Sequence, residues 1–221
     1  MLKAVIFDMD GVLIDSEPLW QEAEIAAFGR VGLQMTREMC KETMGLRIDE
    51  VVKFRYAKNG WTGRSLMEMQ SDILKKLEAL INEVGQPMPG VDYALDFFEK
   101  QNFQIGLASS THLPLIKVVL DKLNIADHFE VIHSAQFEEY GKPHPGIYLT
   151  ALKKLGVAPY EAIAIEDSFN GLLAAKAARM HTICIPEPEQ SKDKRFDIAD
   201  IKLKSLNSLD KKVFSAFLAQ K

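Results

Sequence analysis

Two kinds of apolar pattern divide the chain. Short, partly β-branched runs occur at 4–7, 104–108, 130–133, 162–165 and 181–185, each bounded by polar or turn-forming residues. Runs of that length without polar alternation predict strands buried on both faces, as in a parallel sheet. Between them, apolar residues at helical spacing predict helices over 91–101, 113–123, 146–155 and 171–179. Strands and helices in this alternation imply a doubly wound, Rossmann-like α/β core with helices on both faces of a parallel sheet. The interval 16–86 breaks the rhythm, because it carries no strand signal. Helices are expected there over 17–32, 36–43, 46–59 and 64–84. Leu66, Met69, Ile73, Leu77, Leu80 and Val84 form the apolar stripe of the last. Ser16 is the expected N-cap of the first, ahead of Glu17-Pro18, and Gly32 its stop. Gln86-Pro87-Met88-Pro89-Gly90 is the strongest breaker in the chain. The reading is an α/β core from 1–15 and 87–221, with an all-helical cap, 16–86, inserted after the first strand. The crossings near 13–17 and 84–90 would act as hinges. A last amphipathic helix is expected over 205–221.

Composition adds mainly exclusions. A chain of 221 residues, 47% hydrophobic, is long enough for one sizeable core with an inserted subdomain. Its net charge is -4 and it has no basic stripe, so no nucleic-acid partner is expected. No run approaches a membrane span. The N-terminus reads directly into a strand followed by acids, unlike a signal peptide. Cys40 and Cys184 lie far apart without a CxxC motif, which suggests a reducing compartment and packing roles. A cytoplasmic protein is expected, with a monomer as the default.

The chemistry concentrates at the carboxyl ends of the expected strands, the edge where open α/β sheets bind ligands. The first strand runs into Asp8-Met9-Asp10-Gly11. In an extended chain residues two apart point to the same side, so the two carboxylates converge. Such a pair repels unless a cation or proton intervenes; an acidic strand end facing water is the alternative. The second strand ends in Ala108-Ser109-Ser110-Thr111, where hydroxyls and free N–H groups form either an anion site or a simple helix cap. Lys142 follows the third strand in Gly141-Lys142-Pro143-His144-Pro145, a stiffened loop. It can meet a phosphate or balance the acids, or be merely solvated. The fourth strand delivers Glu166-Asp167-Ser168. His112 and His144 lack partners at metal-ligand spacing and read as structural.

With Phe7-Asp8-Met9-Asp10-Gly11, Ala108-Ser109-Ser110, Lys142-Pro143 and Glu166-Asp167-Ser168 in this order, the chain resembles the haloacid dehalogenase superfamily over nearly its whole length. The helical insert after the first motif looks like the β-phosphoglucomutase-like branch. Residues 14–20, 168–171 and 177–180 are most similar to sugar-phosphate phosphatases of the 2-deoxyglucose-6-phosphate and hexitol-phosphate type. The resemblance implies a Mg²⁺-dependent phosphatase acting on a small phosphorylated metabolite. It implies that Asp8 is the nucleophile and Asp10 the acid and base. The metal would be held by Asp8, Asp167 and the backbone carbonyl of Asp10, with Glu166 orienting a bound water. Ser109, the N–H of Ser110 and Lys142 would neutralise the phosphoryl oxygens. Arg47 lies where related proteins place a cap arginine that reaches the sugar, or else is a surface arginine at a helix start. Glu17 and Trp20 fall on the first cap helix, close to the site. Mutases of this branch carry a histidine at the position of Trp20, so hydrolysis is favoured over a phosphomutase. A dehalogenase would not use the second acid. A phospho-accepting signalling module is the remaining alternative, which the cap and Asp10 disfavour.

Overall fold

The computed structural model describes residues 2–212 and 214–215. Strand β1 (Ala4–Phe7) is followed by four helices, α1 (Glu17–Gly29), α2 (Arg37–Lys41), α3 (Ile48–Asn59) and α4 (Leu66–Val84). The chain then alternates through α5 (Val91–Glu99), β2 (Gln104–Ser109), α6 (Leu113–Leu123), β3 (Val131–Ser134) and α7 (Gly146–Leu155). Next come β4 (Ala162–Glu166), α8 (Phe169–Ala177), β5 (His181–Cys184) and β6 (Ile201–Lys202). Among the described residues six strands pair in parallel, in the order β3-β2-β1-β4-β5-β6. The expected Rossmann-like fold is therefore present.

Every residue of β1 is buried, and alternate side chains serve opposite layers. Val5 and Phe7 pack with α5 and α6, whereas Ala4 and Ile6 pack with α7 and α8. This is why the run shows no polar alternation. The strand order grows one way from β1 to β3 and the other way from β4 to β6. The order reverses between β1 and β4, so a crevice opens at their carboxyl ends. The acids of both strands lie there.

The four helices between β1 and α5 pack on one another. Ser65 and Glu68 cap α4 reciprocally: Ser65 N–H donates to Glu68 Oε2 at 2.8 Å and Glu68 N–H to Ser65 Oγ at 3.2 Å. The α4 stripe buries Met69, Ile73, Leu77, Leu80 and Ile81. Val84, expected on that stripe, is half-exposed, because Ile81 takes the inward position in the last turns. The chain segments entering and leaving this insert run side by side. Asp15 N–H donates to Gln86 O at 3.0 Å and Met88 N–H to Leu13 O at 3.0 Å.

Several boundaries differ from expectation. Helix α1 stops at Gly29 rather than 32, and Gly32, at φ +80°, closes the following turn. Ser16 makes no cap bond, since its hydroxyl is committed elsewhere. Helix α8 begins at Phe169 rather than 171, because Ser168 Oγ accepts from Gly171 N–H at 3.1 Å and so fixes its start. Strand β6 has only two residues, too few for any periodicity. In the expected tail helix, Leu206–Ser208 is a 3-10 turn and 211–212 and 214–215 are helical. The rest of that helix lies outside the described residues. Cys40 and Cys184 are buried free thiols. Among the described residues no helix is long and apolar enough to cross a membrane.

Candidate active site

The floor of the crevice is a buried charge cluster. Asp8 leaves β1 with its N–H donating to Ile165 O of β4 at 3.0 Å, which sets the carboxylate beside Glu166. Lys142 bridges them. Its Nζ donates to Asp8 Oδ1 at 2.9 Å, to Glu166 Oε1 at 2.7 Å and to Ala108 O at 3.2 Å. The Tyr148 hydroxyl donates to the same Glu166 oxygen, and the ammonium lies 5.2 Å from the Tyr148 ring centroid. Burial disfavours the charged lysine, yet the Asp8 and Glu166 carboxylates outweigh it and hold the ammonium's pKa above its ordinary value. Ser168 Oγ donates to Glu166 Oε2 at 3.3 Å, leaving Glu166 enclosed. Gly171 is required beside it, because a side chain there would run into that carboxylate. Gly11, at φ +70°, similarly faces Asp167, where any Cβ would collide with the carboxylate.

Asp8, Glu166 and Asp167 bring carboxylate oxygens within 4.8 Å of one another. Three acids then share one ammonium. Burial first, then the neighbouring Glu166 and Asp10 charges, push Asp8 up to about 7 against the pull of Lys142. Burial, with Asp8 and Glu166, raises Asp167 well above the carboxylate range. An all-oxygen donor set with surplus negative charge fits a hard divalent cation.

Asp10 sits in different surroundings. Its Oδ1 accepts from Ser16 Oγ at 2.6 Å and Trp20 Nε1 at 2.9 Å; its Oδ2 accepts from Thr111 Oγ1 at 2.7 Å and Ser109 Oγ at 3.5 Å. Four donors thus fix a carboxylate that faces the same cavity as Asp8 and Asp167. The roof of that cavity is the helical insert, chiefly α1 and the stretch from Cys40 to Val51.

A family profile for haloacid dehalogenase-like hydrolases matches residues 2–179. Hexitol phosphatase B of Escherichia coli (strain K12) is 43% identical over 212 residues, covering 96% of each chain. The chain belongs to the haloacid dehalogenase-like hydrolases. β-Phosphoglucomutase of Bacillus subtilis (strain 168) is 31% identical over 189 residues, covering 82% of each. The crystal structure of CbbY from Rhodobacter sphaeroides in complex with phosphate superimposes with a TM-score of 0.86 at 27% identity, covering 95% of this chain and 96% of that one. Full-length similarity to phosphatases makes the chain a phosphatase of this family.

The fold of this hydrolase brings most of the expected site residues to one place. Asp8, Asp10, Glu17, Trp20, Ser110 and Asp167 line the cavity, while Ser109, Lys142 and Glu166 lie buried beneath it. Ser110 Oγ donates across to Gly45 O of the insert at 2.9 Å. Burial raises Glu17 to about 7, with Gln21 Nε2 donating to it at 3.1 Å. Arg47 is turned elsewhere. Its Nη1 donates to Glu138 O at 2.8 Å and Ala135 O at 3.2 Å, in the loop after β3, and its Nε pairs with Asp49 at 3.1 Å. Arg47 does not line the cavity, and core carbonyls hold its guanidinium. Sequence reasoning took Ser16 only as a cap and Thr111 only as one hydroxyl of the cluster after β2, gave neither to Asp10, and passed over Tyr148. Thr111 had a visible signal, standing two residues after Ser109 at a strand end. Ser16 looked like an ordinary cap, and Tyr148 like an ordinary core residue of α7.

Proposed function

We propose that this phosphatase hydrolyses phosphate monoesters of small sugars or sugar alcohols through a phosphorylated Asp8. The observation that carries the reading is the division of labour between two neighbouring carboxylates. Asp8 is buried against Lys142 and the other acids, whereas Asp10 is held by four donors beside the cavity. In the first step an Asp8 oxygen forms a bond to phosphorus and the ester bond breaks, while Asp10 gives its proton to the departing alkoxide. In the second, Asp10 takes a proton from water, which attacks phosphorus and frees Asp8. Lys142 and the Ser110 N–H neutralise the phosphoryl oxygens.

The donor set fits Mg²⁺, which Asp8, Asp167 and the Asp10 backbone carbonyl would hold, with Glu166 behind them. When bound, the cation lowers the repulsion between the phosphate and the carboxylates. The likeness to hexitol phosphatase B and the polar groups that the insert turns toward the cavity support this substrate class.

A phosphomutase is the second reading, favoured by the likeness to β-phosphoglucomutase. Against it stands Trp20, whose indole N–H touches Asp10. An indole donates only and cannot exchange a proton with Asp10 as an imidazole could. Phosphate release from phosphorylated hexoses, hexitols, pentoses and nucleotides, with Mg²⁺ and after chelation, tests the proposal. Release from hexitol or hexose phosphates that chelation abolishes and Mg²⁺ restores is expected. Isomerisation without phosphate release would establish the mutase instead.

A further inference from the structure

Seven residues beyond Glu17 on α1 stands a second acid, Glu24, whose carboxyl faces the same cavity. It is 6% exposed. The Cys40 thiol hydrogen-bonds to it, but among the described residues nothing meets its Oε2, which is buried without a partner. Leu46, Ile48 and Val51 give the same cavity an apolar wall, and the Thr43 hydroxyl, which also lines it, donates to Cys40 O at 3.1 Å. Trp20 anchors α1 to Asp10, and Glu24 lies one turn further on, about 6 Å along the helix axis. A ligand with its phosphate at Asp8 that runs along α1 would bring a group several carbons from the ester to this carboxyl.

We propose that Glu24 is the specificity-determining group that accepts a hydrogen bond from a distal hydroxyl of the substrate. The proposal rests on the reading of the substrate as a sugar or sugar-alcohol phosphate. An open-chain polyol is the chemistry that suits it, since every carbon carries a hydroxyl and the apolar wall can take the backbone of the chain. A short ester leaves Oε2 buried and unsatisfied, which discriminates against it. Burial raises Glu24 to about 7 and, with Glu24 beside it, pushes Cys40 up to about 12, so the thiol stays a donor. Such a carboxyl is a liability for the fold, and a leucine of similar volume would be easier to bury. The alternative task is structural. Arg55 is the cation nearest in influence, its Nη1 donating to Glu42 Oε2 at 2.8 Å while its own Nε is buried without a partner. Glu24 would then serve only to balance Arg55.

The test compares sorbitol 6-phosphate with glycerol 3-phosphate in the full chain. For Glu24→Leu, the ratio of their kcat/KM values is expected to fall about 10- to 100-fold, mainly through the KM of the longer ester. Its Tm at pH 7.5 should equal or exceed that of the wild type. Glu24→Gln keeps one acceptor and serves if the leucine variant does not fold; its ratio should fall several-fold. A wild type that favours sorbitol 6-phosphate, with the preference intact in both variants and a lowered Tm, would overturn this role alone and assign Glu24 to Arg55. A wild type that releases phosphate without favouring the longer ester would overturn the polyol reading and this role together.

Discussion

Asp8 and Asp10 differ by what donates to them, and that difference is testable one atom at a time. Asp8→Asn removes the attacking oxygen but leaves an acceptor for Lys142 in a site crowded with negative charge. Phosphate release should drop at least about 1000-fold, with an unchanged far-UV spectrum and an equal or higher Tm. Near-normal turnover would refute the nucleophile. Trp20→Phe deletes one fixed donor and keeps Ser16, Thr111 and Ser109 on Asp10. A fall of about 10-fold in kcat is expected, the size of one hydrogen bond, with KM nearly unchanged and the pH–rate profile displaced. An unaltered profile would show that the indole merely fills space. The acids themselves were legible because an apolar strand ending in carboxylates is an unusual local pattern. The partners of Asp10 were less so: Ser16 looks like a helix cap, and Trp20, expected close to the site, meets Asp10 only when the fold brings β1 and α1 together.

The elements meet through a small set of polar clasps. From the insert, Arg47 reaches the carbonyls of Ala135 and Glu138, and Glu50 Oε1 accepts from Gly141 N–H at 3.3 Å. The loop they grip runs directly into Lys142. Asn170 Nδ2 donates to Met44 O at 3.0 Å from the start of α8, and Ser110 binds Gly45. The insert is therefore tied to three loops that carry site residues. Arg47→Ala should weaken that docking and lower kcat/KM about 10-fold, as expected for two lost charge-assisted bonds partly replaced by water. A change confined to Tm, with kinetics intact, would show that the clasp only stabilises. Helix existence and type were readable from periodicity, including the capped α4, but these clasps were not. Arg47 and its carbonyl partners are separated by 88 and 91 positions, and a backbone carbonyl leaves no trace in side-chain pattern.

At the scale of the molecule, buried acids make stability depend on pH. Glu24 has an ordinary value of 4.5 and is raised to about 7, chiefly by burial. Between those values the folded state holds more protons than the unfolded one. The stability contributed is full below 4.5 and is lost as pH rises through about 7. The shift corresponds to at most about 3 kcal/mol. Glu24→Gln, which cannot ionise, should flatten the decline in denaturation midpoint between pH 5 and 7.5; an identical slope in the variant would contradict the assignment. Glu17, raised in the same sense, adds to the wild-type slope. The sequence by itself determined the parallel sheet, the strandless insert and the strand-end acids and lysine, because short buried strands, helical periodicity and breakers are local signals. The tertiary structure alone decided what each charged group faces. It buried Lys142 between Asp8 and Glu166, gave Asp10 its four donors, turned Arg47 to the core and placed Glu24 at the cavity wall. Burial and long-range pairing set those outcomes, and a glutamate on a helix reads as solvent-facing until another element covers it.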